Sequence, residues 1–347
     1  MQKKSNRKRH KTAWWIFSFI VLLITSSIFY LRNTVFKPFT LTTTVYIYID
    51  ERKDFEDIVY QLKEKADLPS EKIFRLLAKR MNYLSNIKTG CYAVKNGMSM
   101  IEVIRILRAG MQTPVNLTFN NIRTKAELVS RLSQQLMIDS ISLMNALNDS
   151  EKVKELGFDT STVICMFIPN TYEVYWDTGV DKLLSRMKRE YDIFWNDERK
   201  TKAQKIGLTP VEVSILASVV EEEATYPDEY PVIAGLYLNR LHKGMKLEAD
   251  PTVKFAIGDF SMQRILFKHL EVDSPYNTYK YAGLPPGPIR IPSIEAIDAV
   301  LSPQQHGYLF MCAKDDLSGR HNFASTHAEH ARNALRYQRA LNERKIY

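Results

Sequence analysis

The run TAWWIFSFIVLLITSSIFYL, Thr12 to Leu31, contains no charged residue. A stretch of roughly 20 apolar residues is long enough to cross the ~30 Å hydrocarbon layer of a bilayer as a helix, where every backbone group must be bonded within the segment. This commits residues 12–31 to a transmembrane helix and leaves the globular fold to the chain that follows. Trp14, Trp15 and Tyr30 lie near the ends of the run, where interfacial aromatic belts form. Residues 1–11, MQKKSNRKRHK, hold six Lys/Arg and no acid, and positive charge of this kind stays on the cytoplasmic side. A cleaved signal peptide is the rival reading, but no A-x-A site follows and Ile28, Phe29 and Tyr30 prolong the apolar run. The expectation is an uncleaved single-pass anchor. Its N-terminus is cytoplasmic, and everything from about residue 36 lies outside the cytoplasm.

That arrangement also disposes of nucleic acid as a partner. The formal net charge is +9, but six of those charges sit in the N-terminal stub, so the other 336 residues carry only +3. A basic body that could follow a phosphate backbone is absent. Cys91, Cys165 and Cys312 are widely spaced and form no C-x-x-C. They read as small buried residues rather than a zinc ribbon or a redox pair.

Beyond the anchor, LTTTVYIYID (41–50) alternates as a strand, and Phe55 to Ala66 has helical periodicity. Ser70 is a candidate N-cap for a second helix. Asn96-Gly97 marks a turn, Ser99 and Glu102 form an S-x-x-E capping box, and Gly110 ends that helix. Residues 40–120 thus read as a small α+β module. From 121 to about 195 the pattern is mostly helical, interrupted by the aromatic stretch MFIPNTYEVYWDT. Thr209, Pro210 and Glu212 open a long helix with a second capping box. GLPPGPIRIPS reads as an ordered loop, HGYLFMCAKD as a strand, and residues 326–345 as a terminal helix.

The long helix ends in LASVVEEEA. Wound at about 100° per residue, Val211, Ile215, Leu216, Val219 and Val220 form one apolar arc. Glu223 falls near the centre of that arc, Glu222 at its edge and Glu221 nearly opposite. A carboxyl held against an apolar surface has a raised pKa and can serve as a general acid near neutral pH. Periodicity alone favours a frayed or salt-bridged glutamate at the helix end over a catalytic one. Two further stretches carry hydroxyl, amide and aromatic groups suited to sugars: GLYLNRLHKGMKLEADPTV, with Asn239, Asp250 and Thr252, and SPYNTYKYAGLPPGPIRIPS, with Tyr276, Asn277, Thr278 and Tyr279.

Taken in order, ILASVVEEEA, YLNRL, GMKLEADPTV, YNTYKYAGLPPGPI and GRHNF with the histidine beyond it resemble the MltG/YceG-like family of endolytic murein transglycosylases, over Ile215 to about Asn333. The resemblance implies an α+β fold with three parts: a single transmembrane helix (12–31), a LysM-like α+β module (40–120), and a mixed, helix-rich α+β catalytic domain (121–347). It makes Glu223, directly before Ala224, the catalytic acid, with Glu221 the runner-up. Asn239, Asp250, Thr252, Tyr276, Asn277, Thr278, Tyr279, His321 and His330 become substrate-binding positions. The family's E-G-x-x-x-P-D-T-Y stretch appears here as ICMFIPNTY, Ile164 to Tyr172. Its acid is missing, Cys165 replaces glycine and Asn170 replaces aspartate, so roles held by those acids do not transfer.

The implied substrate is the peptidoglycan glycan strand, cut internally at the link from N-acetylmuramic acid to N-acetylglucosamine. The muramic acid 6-hydroxyl attacks the anomeric carbon and leaves a 1,6-anhydro end. Glu223 acts as acid and then as base, so a second carboxylate at glycosidase spacing is not required. Membrane tethering points to nascent strands and to termination of glycan elongation, with a glycan-polymerising synthase as a candidate partner. No cofactor is expected. No metal is expected either, because His327 and His330 are spaced i, i+3 without a third ligand in pattern, and His321 lies upstream. A muramidase using water and a non-catalytic glycan-binding scaffold remain the alternatives.

Overall fold

The computed structural model describes residues 2–262 and 265–344, the side chains of 2–13 and of Leu31 excepted. Met1 and the side chains of the basic tail expected at 1–11, and the last residue of the expected terminal helix, therefore lie outside what is described. Two compact units emerge. One comprises Met1–Asn116 with Glu173–Asp177, the other Leu117–Tyr172 with Thr178–Tyr347.

In the first unit, helix α1 (Gln2–Thr34) contains the apolar span. Its portion Trp14–Thr34 is the one helix among the described residues that is long and apolar enough to cross a membrane, and none of it is buried in protein. Then come β1 (Val45–Ile49), α2 (Phe55–Ala66), α3 (Glu71–Arg80), β2 (Gly90–Val94) and α4 (Met100–Ala109). β1 and β2 pair antiparallel, with Ile47 opposite Tyr92. Ile47 and Ile49 on one face of β1, Ile58 and Leu62 of α2, Phe74 and Ala78 of α3, and Val103, Ile104 and Leu107 of α4 close into one core. Buried Gln61 completes the outer edge of β1: its amide donates to Tyr48 O (2.7 Å) and its carbonyl accepts from Tyr48 N (3.0 Å). The Ser99–Glu102 capping box forms as expected, and Gly110 ends α4 at φ 71°, a left-handed conformation that costs glycine no Cβ clash. Ser70 occupies the N-cap position of α3 without making a side-chain cap bond.

The chain passes between units within β3 (Val115–Thr118) and returns through β4 (Thr171–Val174). The second unit is helix-rich: α5 (Lys125–Gln135), α6 (Ser140–Asn148), α7 (Ser150–Glu155), α8 (Val180–Phe194), α9 (Asp197–Lys205), α10 (Pro210–Glu223), α11 (Tyr230–His242), α12 (Asp250–Ile257) and α13 (Ile294–Leu301). An antiparallel pair, β5 (Phe310–Ala313) and β6 (His321–Ala324), precedes the last helix, α14 (His327–Glu343).

Helix α10 is the centre of this unit, packed by α9, α11, α12 and α13. Every residue from Val213 to Val220 is buried. The single apolar arc expected from periodicity is thus replaced by a helix that is buried all round, with the hydroxyls of Ser214 and Ser218 satisfied by its own backbone. Thr209 and Glu212 cap its start reciprocally and Pro210 occupies its first turn. It ends where Ala224 turns extended (φ −95°, ψ 134°). Ser218, in its interior, donates to Ile215 O (2.7 Å) and accepts from Ile289 N (3.0 Å), which fastens the proline loop to the helix.

Candidate active site

The three glutamates that end α10 meet three different environments. Glu221 accepts from the backbone N–H of Ser293 at the start of α13 (2.6 Å) and pairs with Arg290 (3.2 Å). Glu222 accepts from Arg123 Nε (3.1 Å) and Nη2 (3.2 Å) and from Arg290 Nη1 (2.8 Å). Arg290 also donates to Asn121 Oδ1 (2.8 Å). Two arginines and two glutamates therefore form a neutral, mostly buried network. Glu223 differs: among the described residues no cation lies within ion-pair distance of it, and its Oε1 accepts a 2.7 Å hydrogen bond from Tyr237 of α11.

The electrostatics follow from that difference. Glu223 is partly exposed as a residue, but its carboxyl is densely surrounded. Desolvation pushes its pKa up to about 7, the Tyr237 hydrogen bond opposes the rise, and the nearby Asp250 adds to it. Glu221 is also raised by burial, but the Ser293 N–H and Arg290 work against it. Tyr237, buried beside Glu223, is pushed well above the ordinary tyrosine value, so its hydroxyl remains a donor.

Asp250 opens α12, and its Oδ1 accepts a 2.6 Å hydrogen bond from Tyr279. Burial and that bond raise the Tyr279 pKa, with Glu223 contributing through space. Glu223, Tyr237, Asp250 and Tyr279 are thus within electrostatic reach of one another. Beneath them the 246–252 and 276–279 segments are laced together. Thr252 and Thr278 share a 2.8 Å hydroxyl–hydroxyl bond, Thr278 accepts from Ala249 N (3.0 Å), and Lys246 donates to Tyr279 O (2.9 Å). Asn277, fully buried, donates to Leu270 O (2.8 Å) and Val272 O (2.9 Å) and accepts from Tyr279 N (3.0 Å). Tyr276 packs on Phe255 at 4.7 Å between ring centroids. Gly287 brings the proline loop so close that a Cβ there would lie 2.4 Å from Ser161 O and 2.8 Å from the Tyr276 hydroxyl.

The remaining expected site residues have partners of their own. Asn239 donates to His306 O (2.8 Å) and Tyr308 O (3.1 Å). His321 binds Glu229 through both its backbone N–H (3.0 Å) and Nδ1 (3.1 Å). His330 stacks on Phe310 at 5.4 Å, and burial lowers its pKa. Among the described residues no three His, Cys, Asp or Glu side chains are grouped to hold a metal ion. Tyr237 and Arg290 were not foreseen individually, although both lie inside stretches, YLNRL and GPIRIPS, that drew attention by composition.

Residues 47–336 match the model of the YceG-like family. The chain belongs to that family. It is 29% identical over 318 residues, 87% of each chain, to a Bacillus subtilis (strain 168) protein named endolytic murein transglycosylase. A Streptococcus pneumoniae protein (serotype 2, strain D39) of the same name is 26% identical over 320 residues, covering 83% of this chain and 57% of the pneumococcal one. The chain thus spans little more than half the length of that relative. Among solved structures, a crystal structure of a YceG-like protein from Listeria monocytogenes superposes with a TM-score of 0.55 at 26% identity, over 84% of this chain and 99% of that one.

Proposed function

We propose that this chain is an endolytic murein transglycosylase, with Glu223 as its acid and base. The observation that carries the reading is the isolation of one carboxyl: Glu223 holds a pKa of about 7 beside a tyrosine donor, while its two neighbours are neutralised by arginine. Family membership and the names of the relatives support it.

The chemistry follows from a group that is part protonated near neutrality. Protonated Glu223 gives its proton to the glycosidic oxygen as the bond from the muramic acid C1 breaks. The resulting carboxylate, steadied by Tyr237, then takes the proton of the 6-hydroxyl as O6 bonds to C1. One ring closes, one strand end leaves, no water is consumed, and Glu223 returns to its starting state. Asp250 and Tyr279 are assigned to hold sugar, with the Asp250 carboxylate offsetting positive charge at C1. Thr252, Asn277 and Thr278 brace the loops that carry Tyr276 and Tyr279. Asn239, His321 and His330, the other assigned substrate-binding positions, are held by their own partners.

The same reading assigns residues 12–31 to a membrane anchor with residues 1–11 cytoplasmic, 40–120 to a LysM-like module, and 121–347 to catalysis on the outer face of the inner membrane. Nascent glycan close to the membrane is then the substrate, and a glycan-polymerising synthase the partner. The α1 span and the compact first unit are consistent with this layout. The nearby Asp250 carboxylate favours one alternative, a muramidase in which Asp250 directs water. The test is mass spectrometry of strand ends after incubating the full chain, in detergent, with uncrosslinked glycan. Internal cuts with 1,6-anhydro ends that vanish in Glu223→Gln bear out the proposal. Reducing ends point to the hydrolase, and binding without cutting points to a scaffold.

A further inference from the structure

Glu222 and Pro251, the chain neighbours of Glu223 and Asp250, line a cavity of about 90 Å³ together with Arg123, Lys254, Phe255, Phe260 and Ile289. It has room for a small polar group and not for a sugar ring. Three of its walls are apolar. Arg123 lies over the Phe260 ring at 5.2 Å and is already bound to Glu222, whose charge is balanced in turn by Arg290. Lys254 is different. It stands one turn after Asp250 on α12, forms no ion pair among the described residues, and its charge reaches Glu223. Asp250, its nearest acid along the helix, is instead hydrogen-bonded to Tyr279. The lining therefore carries one more positive than negative charge, counting Arg123, Lys254 and Glu222, with one ammonium whose donors are free and apolar contacts from Phe255, Phe260 and Ile289.

We propose that this cavity is a specificity subsite that receives a carboxylate of the glycan's substituents, with Lys254 as the residue that recognises it. The inference rests on the transglycosylase reading and adds a feature of substrate choice to it. An ammonium at the edge of a low-dielectric pocket forms its strongest hydrogen bonds to an ionised oxygen pair. The strand offers that chemistry from two sources: the lactyl group of muramic acid where no peptide is attached, and the stem peptide where one is. A site filled this way holds the muramic acid end of the scissile bond against Glu223 and discriminates strands by their charge.

The experiment compares three strand preparations: stripped of peptide, carrying stem peptides with free carboxylates, and carrying stem peptides with every carboxylate amidated. KM and kcat are measured for the full chain and for Lys254→Met and Lys254→Glu. The wild type is expected to favour a carboxylate-bearing strand over the amidated one by about tenfold in KM, the scale of one charge-assisted hydrogen bond. Lys254→Met should flatten that ratio to about twofold or less, and Lys254→Glu should invert it, with any change in kcat common to all three strands. A preference confined to the stripped strand identifies the lactyl carboxylate, and one confined to the free-stem strand identifies the peptide. A wild type without preference, or a Lys254→Met enzyme that keeps it, overturns the proposal. If the wild type cuts none of the strands, the transglycosylase reading itself fails, which is a separate result.

Discussion

The Tyr237 hydroxyl of α11 donates a 2.7 Å hydrogen bond to Glu223 Oε1 at the end of α10. Two buried helices thereby place a neutral donor against a carboxyl that burial has made reluctant to ionise. The bond favours the ionised form and so limits a rise in pKa that desolvation would carry further. Replacing Tyr237 by Phe removes that limit. The alkaline limb of the pH–rate profile should move upward by about one unit while kcat falls by about tenfold or more, because the carboxyl loses its orienting partner. Unchanged limbs in both kcat and kcat/KM would remove Tyr237 from the proton chemistry.

In the wild type, activity that depends on protonated Glu223 should decline above about pH 7, approaching a tenfold loss per pH unit. The same shift affects stability. A carboxyl whose folded pKa is raised above its unfolded value contributes stability at low pH, and that contribution is lost as pH rises through the folded pKa. The window here runs from the ordinary glutamate value of 4.5 to about 7. Glu223→Gln should therefore leave stability at pH 4 nearly unchanged and add roughly 2 kcal/mol at pH 8, discounted for the partly exposed edge of the residue. Denaturant melts of variant and parent at the two pH values measure this, and activity should be absent throughout.

Arg290 neutralises both Glu221 and Glu222, and its side chain is only 12% exposed. Arg290→Met should destabilise the fold by about 3–5 kcal/mol, since it strands buried carboxylates. Adding Glu221→Gln and Glu222→Gln should recover about half of that loss or more. Absence of recovery in urea melts of the triple variant would mean that packing, not charge, is the function of Arg290.

Asn277 ties Leu270 O, Val272 O and Tyr279 N into one turn. Asn277→Ala leaves those groups without a partner and should cost about 2 kcal/mol. Faster amide hydrogen exchange confined to residues 270–281 would locate the damage, and a uniform increase across the protein would argue against a local brace.

Much of this architecture is readable in the sequence because it is local. The capping boxes at Ser99–Glu102 and Thr209–Glu212, the stop at Gly110, and the bounds of α2 depend on residues within one turn of each other. The inward position of Glu223 was readable too, although the reasoning was incomplete. Periodicity suggested a helix with one buried side, whereas α10 is enclosed on all sides and each of its last three residues meets packed protein. What separates Glu223 from its neighbours is the company each keeps. The arginines that neutralise Glu222 stand 99 and 68 residues away, and Tyr237 comes from the next helix. No local pattern encodes such pairings. HGYLFMCAKD similarly becomes a strand only from Phe310, because His306 bonds to Val232 O (2.9 Å) and its ring accepts from Tyr308 N (3.1 Å), which holds the first part of the stretch against α11 instead.

Helix α10 stops at Glu223 because Ala224 turns extended. The last peptide carbonyls of a buried helix therefore end at the residue that carries the acid. Aligned peptide dipoles place about half a negative charge at such an end. In the proposed reaction, positive charge grows at the sugar C1 as the leaving oxygen departs. A fixed dipole near that charge requires no reorganisation when it appears. The backbone of α10 then contributes to catalysis alongside the side chain it carries, and point substitution of side chains would leave that contribution in place.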